Sequence, residues 1–280
     1  MHIVKSDKKN NQIINRVKGL WFKADRELQL GKWLKAVQYL NRCIEIKKDY
    51  IPAFQSLADI YFQQGNLVEA EDYIKEALEY APNDPRNHFI MGRIFINRDI
   101  HVALHHFEKA KEFGDLTWGV AHNLAFCYIQ LNLYEKAWEF LQKAQELEPG
   151  NIKTCLLAAE FYRVQNKLND AKEKLLEAKR VRPHDLSIDY LLGFICLNMD
   201  KYKECLLYWE RFYRANSNDI NFVKKLIEVY YHVGQIDRCI QILRETLELD
   251  PNNNEIKMTL DALQKLSNKE EINPSLERSE

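Results

Sequence analysis

Residues 57–84 read LADIYFQQGNLVEAEDYIKEALEYAPND, and the order of small, large and turn-forming residues in this stretch decides the fold. Leu57, Ala58 and Tyr61, then Ala70, Ile74 and Ala77, form two apolar stripes at spacings of three and four, separated by Gly65 and Asn66. Such spacing places each stripe on one face of a helix. The glycine admits a left-handed turn, and Pro82 ends the second helix. The stretch therefore reads as a helical hairpin.

Setting the chain out with a period of 34 repeats this pattern over 17–253, as 17–50, 51–84, 85–117, 118–151, 152–185, 186–219 and 220–253, the third being one residue short. The eighth position holds Ala24, Ala58, Gly92, Ala125, Ala159, Gly193 and, out of pattern, Ile227. The twentieth holds Ala36, Ala70, Ala103, Ala137, Ala171, Cys205 and Cys239. Small side chains at these two points let paired helices approach closely. Large ones fill the space between: Tyr61, Phe95, Tyr128, Tyr162, Cys196 and Tyr230 at the eleventh position, where only the cysteine is small, and Leu40, Ile74, Phe107, Leu141, Leu175, Trp209 and Leu243 at the twenty-fourth.

The punctuation agrees with that period. Gly31, Gly65, Asp99, Asn132, Asn166, Asp200 and Gly234 are expected to take the left-handed turn inside each hairpin. Pro82, Pro149, Pro183 and Pro251 close second helices, and Asp84, Thr117, Asn151, Asp185, Asp219 and Asn253 are placed to cap the helix that follows. In the first repeat Lys23 and Glu27 replace apolar residues, and the stripe Val17, Leu20, Trp21, Ala24, Leu28 predicts a helix rotated or shifted by one residue. Ile227, with Phe212 and Thr246 at the twenty-seventh position, predicts looser packing at the carboxyl-terminal end.

Small residues in alternation, an aromatic at the eleventh position, Ala77, Ala110, Ala144 and Ala178 at the twenty-seventh and a closing proline resemble the tetratricopeptide-repeat (TPR) motif. The resemblance covers 17–253 and implies an all-α superhelical solenoid of about seven helix-turn-helix repeats. Residues 1–16 are left as an amino-terminal extension. The amphipathic stretch within 254–266 is expected to form a capping helix, and the polar tail 267–280 to be disordered.

Forty basic against 41 acidic residues leave a net charge of -1, with no excess to hold a phosphate backbone. Nucleic acid is not the expected partner. The first residues lack the apolar core of a secretory signal, and no run approaches the ~20 apolar residues of a membrane span, so a cytoplasmic protein without membrane insertion is expected. Cys43, Cys127, Cys155, Cys196, Cys205 and Cys239 are scattered and read as reduced, buried thiols. No phosphate loop, nucleophile elbow or H-E-x-x-H motif is present, and too few residues lie outside the repeats for a catalytic domain, so no enzymatic activity and no cofactor are expected. The single metal candidate is His101, His105 and Glu108, which fall at i, i+4 and i+7 of one helix. A solvated outer face explains the same three residues.

The TPR resemblance implies that residues 2, 5, 6, 9, 12 and 13 of each repeat face a ligand on the first helices. That maps a partner-binding groove onto Phe62, Arg86, Phe89, Arg93, Asn97, His122, Asn123, Phe126, Gln130, Lys153, Arg163, Tyr190 and Phe194. Its lining is basic and partly aromatic, suited to a protein or peptide partner with an acidic or carboxylate-bearing segment. The family's two-carboxylate clamp is matched by Asn123 and Lys153, whereas Arg93, Phe89 and Leu157 depart from it. The aromatics also suit plain packing between neighbouring first helices. The leading reading is a non-enzymatic adaptor; the alternatives are a self-assembling homo-oligomeric scaffold and a co-chaperone-like binder of peptide carboxyl termini.

Overall fold

A computed structural model describes the backbone of residues 2–272 and the side chains of 10–266. It divides into two compact units, 1–149 and 150–280. The first contains α1 (His2–Gln29), α2 (Trp33–Ile46), α3 (Ile51–Gln63), α4 (Leu67–Tyr80), α5 (Pro85–Phe95), α6 (Ile100–Phe113), α7 (Trp118–Gln130) and α8 (Tyr134–Leu147). The second contains α9 (Ile152–Val164), α10 (Leu168–Val181), α11 (Leu186–Asn198), α12 (Tyr202–Ala215), α13 (Ile220–His232), α14 (Ile236–Leu249) and α15 (Asn254–Ile272). Among the described residues there is no strand, so the fold is an all-α TPR solenoid.

Each odd-numbered helix up to α13 packs on the one after it, and that pair on the next within its unit. The close approach follows the small residues: Ala58, Ala70, Ala125, Ala137 and Ala171 are essentially inaccessible, with Ile74, Leu141 and Leu175 filling the space beside them. α13 and α14 approach less closely along their length than the other pairs, because Ile227 stands at the crossing where the others have Ala or Gly. The first repeat corrects the expectation of a shifted frame. Ala24 is buried in the same register as Ala58, and Gly31 takes the left-handed turn. Lys23 is exposed because no earlier hairpin among the described residues covers that face of α1.

Six of the seven expected turn residues have positive φ: Gly31, Gly65, Asn132, Asn166, Asp200 and Gly234. Asp99 does not, with φ -152°. The third repeat is one residue short, so its turn has no room for a left-handed residue ahead of the second helix. Asp99 caps α6 instead, its carboxylate accepting from the backbone N–H of His101 and Val102. All six interhelix caps form, from Asp84 on Arg86 and Asn87 to Asn253 on Ile256. α15 continues past Leu266, the expected end of the capping helix, to Ile272. Residues 273–280 of the tail lie outside the described residues.

Candidate partner-binding groove

In the first unit the groove residues stand on α3, α5 and α7, except Asn97, which lies in the turn after α5. Arg93 of α5 lies with its guanidinium carbon 4.5 Å from the Phe62 ring centroid and 5.9 Å from that of Phe89. Its Nη1 donates to Asp59 Oδ1 at 2.8 Å, and Arg86 meets the same carboxylate at 3.4 Å. Phe89 in turn packs on Phe107 and on Gly119 at the start of α7, where a Cβ would lie 3.1 Å from the ring. An arginine between two aromatic faces and tied to a carboxylate is held in one orientation. Two cations against one carboxylate leave this spot with one positive charge in excess.

Sequence reasoning placed Arg93 here but missed Asp59. The signal was available: both occupy the ninth position of their repeats, 34 residues apart. The expected basic centre is therefore half neutralised from within. Asn123 is also occupied, its amide donating to the Gly119 carbonyl at 2.7 Å, which weakens its match to the carboxylate clamp. His122 stacks on Trp118 with centroids 5.0 Å apart. Phe126 is half-buried, and Asn97 and Gln130 are exposed.

In the second unit Lys153 is exposed, and Arg163 is paired through both Nε and Nη2 with Glu160 at 2.6 Å. This pair rims a cleft of about 380 Å³ between α9 and α11, lined by Leu156, Tyr190, Leu191 and Phe194 among others. Tyr190 is partly structural, since its ring lies 5.1 Å from Phe212 and its carbonyl accepts from Trp209 Nε1. Phe194 lies under the Lys225 ammonium at 5.9 Å. The cleft is apolar with a self-neutralised rim, unlike the cationic spot around Arg93. Leu157, a departure from the clamp, is buried. Asn123 and Lys153 belong to different units.

The metal candidate does not assemble. Glu108 accepts from the Tyr128 hydroxyl and pairs with Lys111; burial alone would raise its pKa, but these two partners outweigh it and hold the carboxyl below its ordinary value. His101 and His105 stay exposed, and no group of three potential ligands is arranged for a metal among the described residues. His106 instead pairs with His88 across α5 and α6. Every cysteine is buried and free, and burial pushes the thiols up, Cys127 and Cys205 to about 12. No described helix is long and apolar enough to cross a membrane.

The family models for the tetratricopeptide repeat match residues 27–93 and 119–151. The chain thus carries tetratricopeptide repeats in both stretches. It is similar to the BBSome complex member BBS4 of Bos taurus, 23% identical over 236 residues that cover 72% of this chain and 44% of that protein. A TPR repeat-containing protein of Methanocaldococcus jannaschii is 25% identical over 204 residues, covering 72% and 33%. The chain thus spans less than half the length of these two relatives. Among solved structures, Cut9 with Hcn1 from the APC/C superposes with a TM-score of 0.63 at 16% identity, over 80% of this chain and 44% of that one. YrrB, described as a TPR protein with an unusual peptide-binding site, gives 0.51 at 16% identity, over 66% and 96%. These likenesses establish the fold. At the level the TPR fold supports, the chain is a protein-interaction scaffold.

Proposed function

We propose that this TPR chain is a non-enzymatic cytoplasmic adaptor that holds an acidic segment of a partner protein along the first helices of its repeats. On this reading 17–253 act as seven repeats, with 254–266 as the cap. The observation that carries it is Arg93, fixed between Phe62 and Phe89 by Asp59 with its side chain still 30% exposed. Only Nη1 is committed to Asp59, so Nε and Nη2 remain to donate to an incoming carboxylate without further loss of side-chain freedom. Arg86 adds the excess positive charge beside it. The aromatic faces offer apolar contact to the same segment.

Arg93→Glu tests this. Affinity capture from the source cells with the wild-type chain, followed by direct titration of the captured partner, is expected to lose that partner with the variant, a weakening of roughly 100-fold if the guanidinium is a buried anchor. An unchanged set of partners would remove this spot from the binding surface. Arg93→Lys separates orientation from charge: with a bidentate, stacked arginine, lysine recovers only a minor part of the affinity.

A further inference from the structure

The second helices carry a charged surface that the groove does not use. Asp189 of α11 is fully buried, with Lys179 of α10 and Arg211 of α12 as its ion-pair partners, Arg211 Nε lying 3.6 Å from Oδ2. Both cations also reach the Pro183 carbonyl, Lys179 Nζ at 3.3 Å and Arg211 Nη2 at 3.4 Å. Two of the three guanidinium nitrogens of Arg211 are thus turned inward. The side chain is nonetheless 41% exposed.

On α12, Lys203, Leu207, Arg211 and Arg214 follow at spacings of four, four and three and are all exposed, Leu207 to 70%; such spacing aligns them on one helix face. From the α10 side, Arg180, Val181, Arg182 and His184 are exposed in and beside the turn that Arg211 touches, Val181 to 56%. The Lys172–Glu204 pair at 2.5 Å joins the two helices. Among the described residues Arg180, Lys203 and Arg214 have no ion-pair partner, and Arg182 meets Asp185 only at 3.8 Å. The carboxylate in this turn, Asp185, is committed to capping α11, and Asp189 of α11 lies beneath the surface.

We propose that this face of α10 and α12 is a second docking surface, for an acidic segment of a partner protein that carries an apolar side chain between its carboxylates. Unpaired cations sharing one surface repel one another, and an opposing carboxylate relieves that repulsion. Leu207 and Val181, exposed among the cations, give such a segment an anchor. A phosphate backbone offers nothing to those two side chains, and two apolar residues are too few to seat a helix in a bilayer interface. The surface stands on second helices, so it is open to a partner other than the one in the groove.

The test uses the full chain carrying Arg93→Glu, which disables the groove spot, and a short fluorescein-labelled peptide of alternating Glu and Leu read by fluorescence anisotropy. Binding is expected, with none for the matching Lys and Leu peptide, and it weakens as NaCl rises from about 50 to about 500 mM. Adding Arg180→Glu with Arg214→Glu, residues without internal partners and so without a folding role, weakens it roughly tenfold; Leu207→Asn weakens it roughly threefold with the salt dependence retained. Circular dichroism melts verify that the variants stay folded. The proposal is overturned if the acidic peptide does not bind, if the double reversal leaves its affinity unchanged, or if phosphatidylserine vesicles or a single-stranded oligonucleotide bind in its place. Each of those outcomes leaves the Arg93 reading intact, because that rests on the loss caused by Arg93→Glu alone.

Discussion

The third and sixth repeats depart from the common pattern in the same two ways and resolve the second in opposite ones. In both, Gly replaces Ala at the eighth position and an aromatic ring replaces Leu or Ile at the twenty-fourth. A Cβ on Gly92 would lie 2.6 Å from Phe107 Cε1, and one on Gly193 2.0 Å from Trp209 Cδ1. Elsewhere Ala58 accompanies Ile74, Ala125 Leu141 and Ala159 Leu175, all buried. The volume surrendered at one site is occupied by a ring from the other, so the hairpin fixes their sum rather than either residue. Both repeats also bury a polar side chain at the fourth position. His88 joins a pair of neutral imidazoles, whereas Asp189 is held by two cations.

Gly193→Ala breaks the volume rule most severely. Trp209 is fully buried and its Nε1 is bonded to the Tyr190 carbonyl at 3.0 Å, so the indole cannot swing aside without giving up that bond. A loss of about 3–4 kcal/mol is expected, even after the roughly 1 kcal/mol by which Ala favours a helix over Gly. Gly92→Ala meets only the outer edge of the Phe107 ring and should cost about 1–2 kcal/mol. The comparison sharpens with Gly193→Ala combined with Trp209→Leu, which copies the Ala159 and Leu175 pair and should recover part of the loss. Chemical denaturation followed by far-ultraviolet circular dichroism reads all three; a double variant no better than the single one would refute volume compensation.

The second contrast is electrostatic. Asp189→Asn removes the carboxylate that holds Lys179, whose side chain is only 17% exposed, and Arg211. Two cations then face each other over a buried amide, and about 2 kcal/mol should be lost, less than for a fully enclosed pair because Arg211 keeps contact with water. Native-state hydrogen exchange locates the effect: amides of α10, α11 and α12 should lose protection while those of α3 and α4 keep theirs, since a solenoid opens locally. Uniform loss across the chain, or none, would contradict the local role of the triad.

The hairpins, caps and turns were legible because each depends on residues at fixed offsets within one repeat. The failures share a physical cause. Asp99 was assigned a left-handed turn by register, although the missing residue in its repeat turned it into a cap. Arg93 was placed in the groove without Asp59, because a charge looks free in one repeat until the same position in the preceding repeat is considered. Glu108 groups with His101 and His105 along its own helix, yet its carboxylate is taken by Lys111 of that helix and by Tyr128 of the next repeat. The same contact recurs between Glu210 and Tyr230. His88 and Asp189 went unremarked at a core position because their partners sit 18 and 10 residues away, on helices of another register.

The smallest expected effect isolates the imidazole pair of the third repeat. His88 Nε2 lies 2.8 Å from the Pro82 carbonyl, which can only accept, so Nε2 carries the proton and Nδ1 accepts from His106 Nδ1–H at 3.0 Å. That arrangement requires His88 to be neutral, and burial disfavours the charged form of His106 beside it. Burial, chiefly, lowers both from the ordinary 6.5, His106 to about 4 with further help from the neighbouring His88 and His105. Below 6.5 the unfolded chain takes up protons that the folded chain refuses, so stability is full above 6.5 and falls as pH drops towards 4. Carboxylates with depressed values, such as Glu71 and Glu108, begin to act only below 4.5, which leaves the interval from 4.5 to 6.5 to the histidines. His106→Phe, which gives the third repeat the ring that Phe140 supplies in the fourth, should flatten the dependence of Tm on pH across that interval by a few degrees, on the order of 1 kcal/mol. Asp189→Asn should leave that slope unchanged, because the sixth repeat contains no histidine. An equal slope in wild type and His106→Phe would show that the pair is solvated in solution and that the two repeats differ only in volume.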